Sequence, residues 1–237
     1  MKTMYAVIAV LAAFALTGLG YFAIRAPQSE QSGSGFRSAA FLPSLSTKTE
    51  NQQNLEELRT IFVNFQNAKS FRSDIAVDLS GDTTRGEMEI AKPSRFRGKL
   101  SVDGETLEVT GVEDILYFKN PDGIWVPLRS EILTEQLQHA FSLAIQGTTE
   151  ESATLLPDGL TVTKVRDRNR SCDEYSTQIE DESGNTIDLR VCAENGLPLF
   201  VEAIRADGSV KNAYRDFNVV IVIERPSIPK AFWDIVR

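Results

Sequence analysis

Histidine is almost absent from this 237-residue chain, in which His139 is the only one, and cysteine occurs just twice. A Ser-His-Asp or Cys-His catalytic arrangement would have to be built around His139, and the nucleophile motif G-x-S-x-G is missing. One histidine and two cysteines also offer no ligand set for zinc. The glycine-rich nucleotide-binding motifs and the calcium-loop spacing are absent as well. The sequence therefore predicts a protein that is not an enzyme and that uses no cofactor or metal.

A basic run is also missing. The chain has 25 basic and 33 acidic residues, and two of the basic ones, Lys2 and Arg25, flank a hydrophobic N-terminal segment. The remainder carries a formal charge of −10. Nucleic acid is therefore excluded as an expected partner, and attachment to anionic lipid through a polybasic surface is disfavoured.

The N-terminal segment, residues 4–24, contains no charged side chain. As a helix that rises about 1.5 Å per residue, it would cross roughly 30 Å of hydrocarbon. We therefore predict a signal anchor over residues 1–26, with the rest of the chain in the periplasm or on the outer face of the cytoplasmic membrane. A cleaved signal peptide, with Gly18 and Gly20 as the small residues before the cut, is the alternative and would give a secreted protein.

A polar linker and one domain follow this segment. Residues 27–50 are rich in Ser, Gln, Gly and Thr, a composition that cannot bury enough apolar surface to offset the entropy of ordering. We predict that they form a flexible tether. Residues 51–237 are long enough for a single domain with a sizeable core.

The domain has helical periodicity in only two places. Apolar residues recur at helical spacing from Asn51 to Lys69 and from Glu131 to Gln146, where Ser130 is the predicted cap. About ten short alternating strands joined by turn residues make up most of the rest, and the last is the apolar run Val219–Ile223. This pattern predicts an α+β, mainly β fold, in which one antiparallel sheet curves around its helices.

The two cysteines, Cys172 and Cys192, lie on consecutive predicted strands, each on the polar face of its strand. Residues 181–185, Asp-Glu-Ser-Gly-Asn, form a turn signal between them, and folding about this turn brings the cysteines approximately opposite each other. We predict a cross-strand disulfide formed in an oxidising compartment. Two free thiols remain the alternative.

The order of elements and motifs resembles a known family. The run from Gly86 to Arg97 (Gly-Glu-Met-Glu-Ile-Ala-Lys-Pro-Ser-Arg-Phe-Arg), the following segment Gly111–Pro121, the motif Gly196–Leu199 and the closing Pro229-x-x-Phe232 are similar to patterns in the LolA and LolB lipoprotein carrier family. The same superfamily includes mycobacterial lipid-binding lipoproteins of the LppX and LprG type and the sensor RseB. The resemblance covers roughly residues 51–237.

The resemblance implies an unclosed antiparallel β-barrel whose helix-covered concave face holds acyl chains. This chain departs from the pattern because it lacks the lipobox cysteine of the lipoprotein members. The residues that would line the cavity are those on the apolar faces of the predicted elements; ordinary core packing would explain the same alternation. They are Ile75, Val77, Met88, Ile90, Phe96, Leu100, Val102, Leu107, Trp125, Leu133, Leu137 and Phe141.

Two functions from different classes are consistent with this sequence. The first is non-catalytic binding and transfer of lipid or lipoprotein acyl chains outside the cytoplasm, at a membrane to which the N-terminal segment attaches the protein. The alternative is an envelope sensor or adaptor that uses the same scaffold to bind a membrane-protein partner. Bound lipid distinguishes the carrier, and a bound protein distinguishes the adaptor.

Overall fold

A computed structural model describes residues 48–79, 82–102, 105–113, 115–129, 156, 160–166, 171–180 and 185–230. Helix α1 spans Glu50–Asn67, close to the predicted bounds. Thr49 caps its N-terminus: its side chain accepts from the Gln52 backbone N–H, while the Gln52 side chain accepts from the Thr49 backbone N–H. The apolar stripe at three- and four-residue spacing faces the core. The predicted second helix, the hydrophobic segment 4–24 and His139 lie outside the described residues.

Eleven strands form most of the rest of the described chain. They are β1 Ser70–Leu79, β2 Asp82–Ala91, β3 Arg95–Val102, β4 Glu105–Val112, β5 Ile115–Lys119, β6 Trp125–Arg129, β7 Thr163–Arg166, β8 Asp173–Glu180, β9 Thr186–Glu194, β10 Leu197–Arg205 and β11 Gly208–Arg215.

The strands pair into one antiparallel sheet in the order β6-β5-β4-β3-β2-β1-β11-β10-β9-β8-β7. Two meanders, β1–β6 and β7–β11, are joined where β1 pairs with β11. Strands β6 and β7 are the two edges, and because they do not pair with each other the sheet is not closed. The prediction of an open, mainly β architecture is therefore confirmed.

The sheet is strongly curved. Eleven strands at about 4.8 Å spacing would span roughly 48 Å if flat, whereas α1, with 18 residues, is only about 27 Å long. A single cluster of buried side chains nevertheless joins α1 to residues as far apart in the sheet as Leu116 of β5 and Ile179 of β8. The sheet must therefore wrap around the helix. We call the face that packs against α1 the inner face and the opposite one the outer face.

The chain leaves the sheet after β11, contrary to one prediction. Val219–Ile223 was expected to form a strand because β-branched residues favour one. Instead Asp216 and Asn218 adopt left-handed backbone angles, φ 56° and 58°, and turn the chain onto the outer face. There residues 219–230 form an extended strap, in which Ile223 packs with Val112, Ile115 and Tyr117. The side chain of Arg95 donates to the Ile223 carbonyl over 2.7 Å.

The cysteine hairpin is confirmed. Cys172 and Cys192 form a disulfide with a Cα–Cα distance of 5.6 Å. Burial alternates along β9, with Ile187, Leu189 and Val191 directed inward. Cys192 pairs across the hairpin with Glu174, so the disulfide lies on the outer face, as the alternation predicted.

No helix among the described residues is long and apolar enough to cross a membrane.

Candidate functional site

The inner face contains most of the predicted lining residues. Six of them are buried in one cluster beneath α1, and Leu107 is partly buried against the same cluster. Their strands β1–β4 are consecutive in the sheet, so the alternating side chains form a continuous apolar wall. The six buried residues are Ile75, Val77, Met88, Ile90, Phe96 and Leu100.

The other predicted lining residues have different positions. Trp125 is partly buried against the second cluster, which contains Ile223 of the strap, and it also lines a groove on the outer face. The side chain of Val102 and all of Leu133, Leu137 and Phe141 lie outside the described residues.

Glycines on the inner face let large neighbours lie flat against the sheet. Across the strands, Gly86 pairs with Leu100, Gly98 with Met88, and Gly111 with Phe96. A Cβ atom on Gly98 would overlap the Met88 sulfur, and one on Gly111 would overlap the Phe96 ring. The side chains of Met88 and Phe96 therefore occupy the space that a Cβ would need, and this close packing helps the sheet to bend.

Sequence reasoning missed a few polar residues on the same inner face. Ser73, Thr177 and Asn212 are each at least 95% buried. Thr177 shares the inward face of β8 with Tyr175 and Ile179, and the register shows that Asn212 lies between Ile75 and Val201. None of the buried side chains in the described chain carries a charge.

A charged network fastens the first half of α1 to the sheet edge. The Glu57 carboxylate accepts hydrogen bonds of 2.7 Å from both Lys164 and the Tyr175 hydroxyl, and Lys164 also pairs with Asp173 at 3.0 Å. The hydrogen bonds from Lys164 and then Tyr175 lower the pKa of Glu57. Burial opposes the charge of Lys164, but its hydrogen bonds outweigh this effect and raise its pKa. These residues line one side of a groove of about 630 Å³ beside α1.

Side-chain amides extend this fastening along α1. Asn51 donates to the Leu160 carbonyl at 3.0 Å and accepts from the Val162 N–H at 2.7 Å, while the buried Asn54 donates to the Val162 carbonyl at 3.1 Å. The backbone just before edge strand β7 is thus satisfied by helix side chains.

The C-terminus of α1 is capped by Lys92, from the turn between β2 and β3. Its ammonium group donates to the Phe65 and Gln66 carbonyls at 3.3 and 2.7 Å, where the helix dipole favours a cation. It also lies over the rings of Phe65 and Phe71. Burial lowers the pKa of Lys92 to about 8.

The outer face has a second groove, of about 530 Å³, with charged walls. Several of its charges are paired across the strands: Glu89 accepts from Arg72 at 2.9 Å and from Arg97. Burial raises the pKa of Glu89, but these two arginines outweigh the effect and leave it lowered. Such a paired, partly exposed surface is typical of a solvated sheet face.

Among the described residues, no group of His, Cys, Asp and Glu could hold a metal ion.

Comparison with known proteins identifies the fold only. No protein-family model and no curated protein matches the sequence. The crystal structure of LprF from Mycobacterium bovis matches with a TM-score of 0.53 at 11% identity, over 74% of this chain and 97% of that one. The Mycobacterium tuberculosis lipoprotein LppX matches with a TM-score of 0.50 at 14% identity, over 73% and 98%. The Pseudomonas aeruginosa MucA/MucB complex has a TM-score of 0.40 at 14% identity, over 70% and 56%, too low to argue from.

Proposed function

We propose that this chain, which has the LolA/LppX-like lipoprotein carrier fold, binds lipid or lipoprotein acyl chains between α1 and the inner face, outside the cytoplasm and without catalysis. The observation that carries the proposal is the inner face itself, a wall of consecutive apolar strands without a buried charge in the described chain. Burial of apolar surface is then the main source of binding free energy. At about 0.8 kcal/mol per buried CH₂, one long acyl chain gains roughly 10 kcal/mol before ordering costs.

We place the entry at the β4–β5 end of the inner face. Leu107 and Phe118 are only partly buried against the core cluster there, whereas α1 is tied to the opposite edge by Asn51, Asn54 and Glu57. An acyl chain entering beside Leu107 would not need to break those polar contacts.

The disulfide supports a location outside the cytoplasm. Cys172 and Cys192 are both buried and bonded to each other, and such bonds persist in oxidising compartments. We propose the periplasm or the outer face of the cytoplasmic membrane, with residues 1–26 as a signal anchor or cleaved signal, 27–50 as the tether and 51–237 as the lipid-binding domain.

Native mass spectrometry of the full chain, expressed into an oxidising compartment, tests the proposal. We expect an acyl lipid at close to one per chain, identified after organic extraction. An empty protein that also fails to take up a fluorescent fatty acid would refute lipid binding. Leu107→Lys should reduce uptake because it puts a charge at the entry, whereas Val165→Lys, at an exposed position on edge strand β7, should not.

The strap favours a second candidate, the sensor or adaptor. Val220 and Val222 are 91% and 67% exposed on this extended segment. Extended segments can bind partner peptides by strand addition. A membrane protein that copurifies with an otherwise lipid-free chain, and is lost on Val220→Asp with Val222→Asp, would support this candidate.

A further inference from the structure

Two oxygen atoms on the inner face have no hydrogen-bond partner in the described part of the chain. They are Oδ1 of Asn212 and Oγ1 of Thr177, in side chains only 3% and 5% exposed. Buried polar groups are nearly always paired, and leaving one unpaired is destabilising. Two on one apolar face are therefore a feature to be explained.

Asn212 is held in a fixed position. It lies in the middle of β11, between Val201 of β10 and Ile75 of β1, both apolar and buried. Its side chain is hydrogen-bonded to the hydroxyl of Tyr214, the next inward residue on the strand. The amide N–H is the donor in this bond, since Oδ1 is unpaired, and the carbonyl oxygen is left as a fixed acceptor.

We propose that Asn212 Oδ1 binds a hydroxyl group on the lipid, so that the preferred ligand is a hydroxylated acyl chain or lipid alcohol. This inference rests on the function proposed above. Oδ1 can only accept, so the ligand must donate, which an ionised carboxylate cannot do. A hydroxyl on the lipid meets this condition.

Thr177 offers the ligand a second unpaired polar group on the same face. Strands β8 and β11 are three strand spacings apart, about 14 Å measured along the sheet. One hydroxyl cannot contact both residues at that separation. Asn212 is therefore the anchor, and Thr177, which can accept or donate, contacts a second polar group of a long lipid.

Displacement of a fluorescent fatty acid from the delipidated full chain provides the test. The competitors are stearate and a series of hydroxystearates that differ only in the position of the hydroxyl. We expect at least one hydroxylated isomer to bind about tenfold more tightly than stearate. Asn212→Leu should abolish this preference and keep the affinity for stearate.

Asn54→Leu is the matched control, because Asn54 is also a buried asparagine but its amide is paired to the Val162 carbonyl. It should lose stability and keep the preference. Equal binding of stearate and every hydroxystearate by the wild type would overturn the inference and leave lipid binding intact, whether or not the variants fold. A preference that survives Asn212→Leu would also overturn it. Failure to bind any of the acids would instead refute the proposed function.

Discussion

Removal of the disulfide should destabilise the domain by an amount that follows from its position. The bond joins residues 20 apart, Cys172 and Cys192. The chain-entropy model for a closed loop of this length gives about 3 kcal/mol at 25 °C. The hairpin keeps its backbone pairing without the bond, because β8 and β9 pair along eight residue pairs from Asp173–Ala193 to Glu180–Thr186. The loss should therefore come from a less restricted unfolded chain and not from a rearranged sheet.

Urea unfolding of the wild type and of the double variant Cys172→Ala, Cys192→Ala measures this loss. We expect the free energy of unfolding to fall by about 3 kcal/mol and the melting temperature by roughly 10 °C. The m-value should rise, because the unfolded variant is more expanded. Reduction of the wild type should reproduce the shift. A loss below about 1 kcal/mol, with an unchanged m-value, would contradict the entropic argument.

Three further predictions concern packing and charge. Gly98→Ala should lower the free energy of unfolding by about 1–3 kcal/mol, because the added Cβ would overlap the Met88 sulfur. The double variant Gly98→Ala, Met88→Ala should recover part of this loss. No recovery would mean that the contact with Met88 is not the cause. Burial lowers the pKa of Lys92 to about 8, so the unfolded chain binds more protons than the folded chain between pH 8 and 10.5. The free energy of unfolding of the wild type should therefore rise with pH in this range relative to that of Lys92→Met. Parallel curves of unfolding free energy against pH for the two proteins would refute this. Because Lys164 lowers the pKa of Glu57, acidification below about pH 4.5 should weaken the wild type more than Glu57→Gln, as pH-dependent urea unfolding would show.

The sheet could be predicted from the sequence because most strands pair with the strand that comes before or after them along the chain. Turn signals such as Asn120–Gly123 join consecutive strands, and the structure pairs those strands as hairpins. The strap could not be predicted in the same way. Its β-branched run has the composition of a strand, but the left-handed residues Asp216 and Asn218 turn the chain before it. Asparagine and aspartate tolerate this conformation without requiring it.

The apolar wall of the candidate site was predictable by the same period of two, but the unpaired state of its polar exceptions was not. Residues in β1–β4 alternate regularly, which is why Ile75, Met88 and Phe96 were recognised as inward-facing. In β11, Gly-Ser-Val-Lys-Asn-Ala-Tyr-Arg, the alternation places Asn212 on the inward face with Val210 and Tyr214. Only the pairing of β11 with β1 and β10 shows that its neighbours across the strands, Ile75 and Val201, are both apolar.

The fastening of α1 is asymmetric, and this bears on how the fold could admit a ligand. Asn51, Asn54 and Glu57 fix its first half to the β7–β8 edge, and Lys92 fixes its last turn to the β2–β3 turn. Displacing the whole helix would break all of these contacts and would therefore be costly. Apolar contacts impose no such directional requirement and can re-form around an inserted chain. Under the proposed function, a lipid would therefore be admitted most easily where the wall is apolar and only partly buried, at the β4–β5 end, with α1 remaining in place.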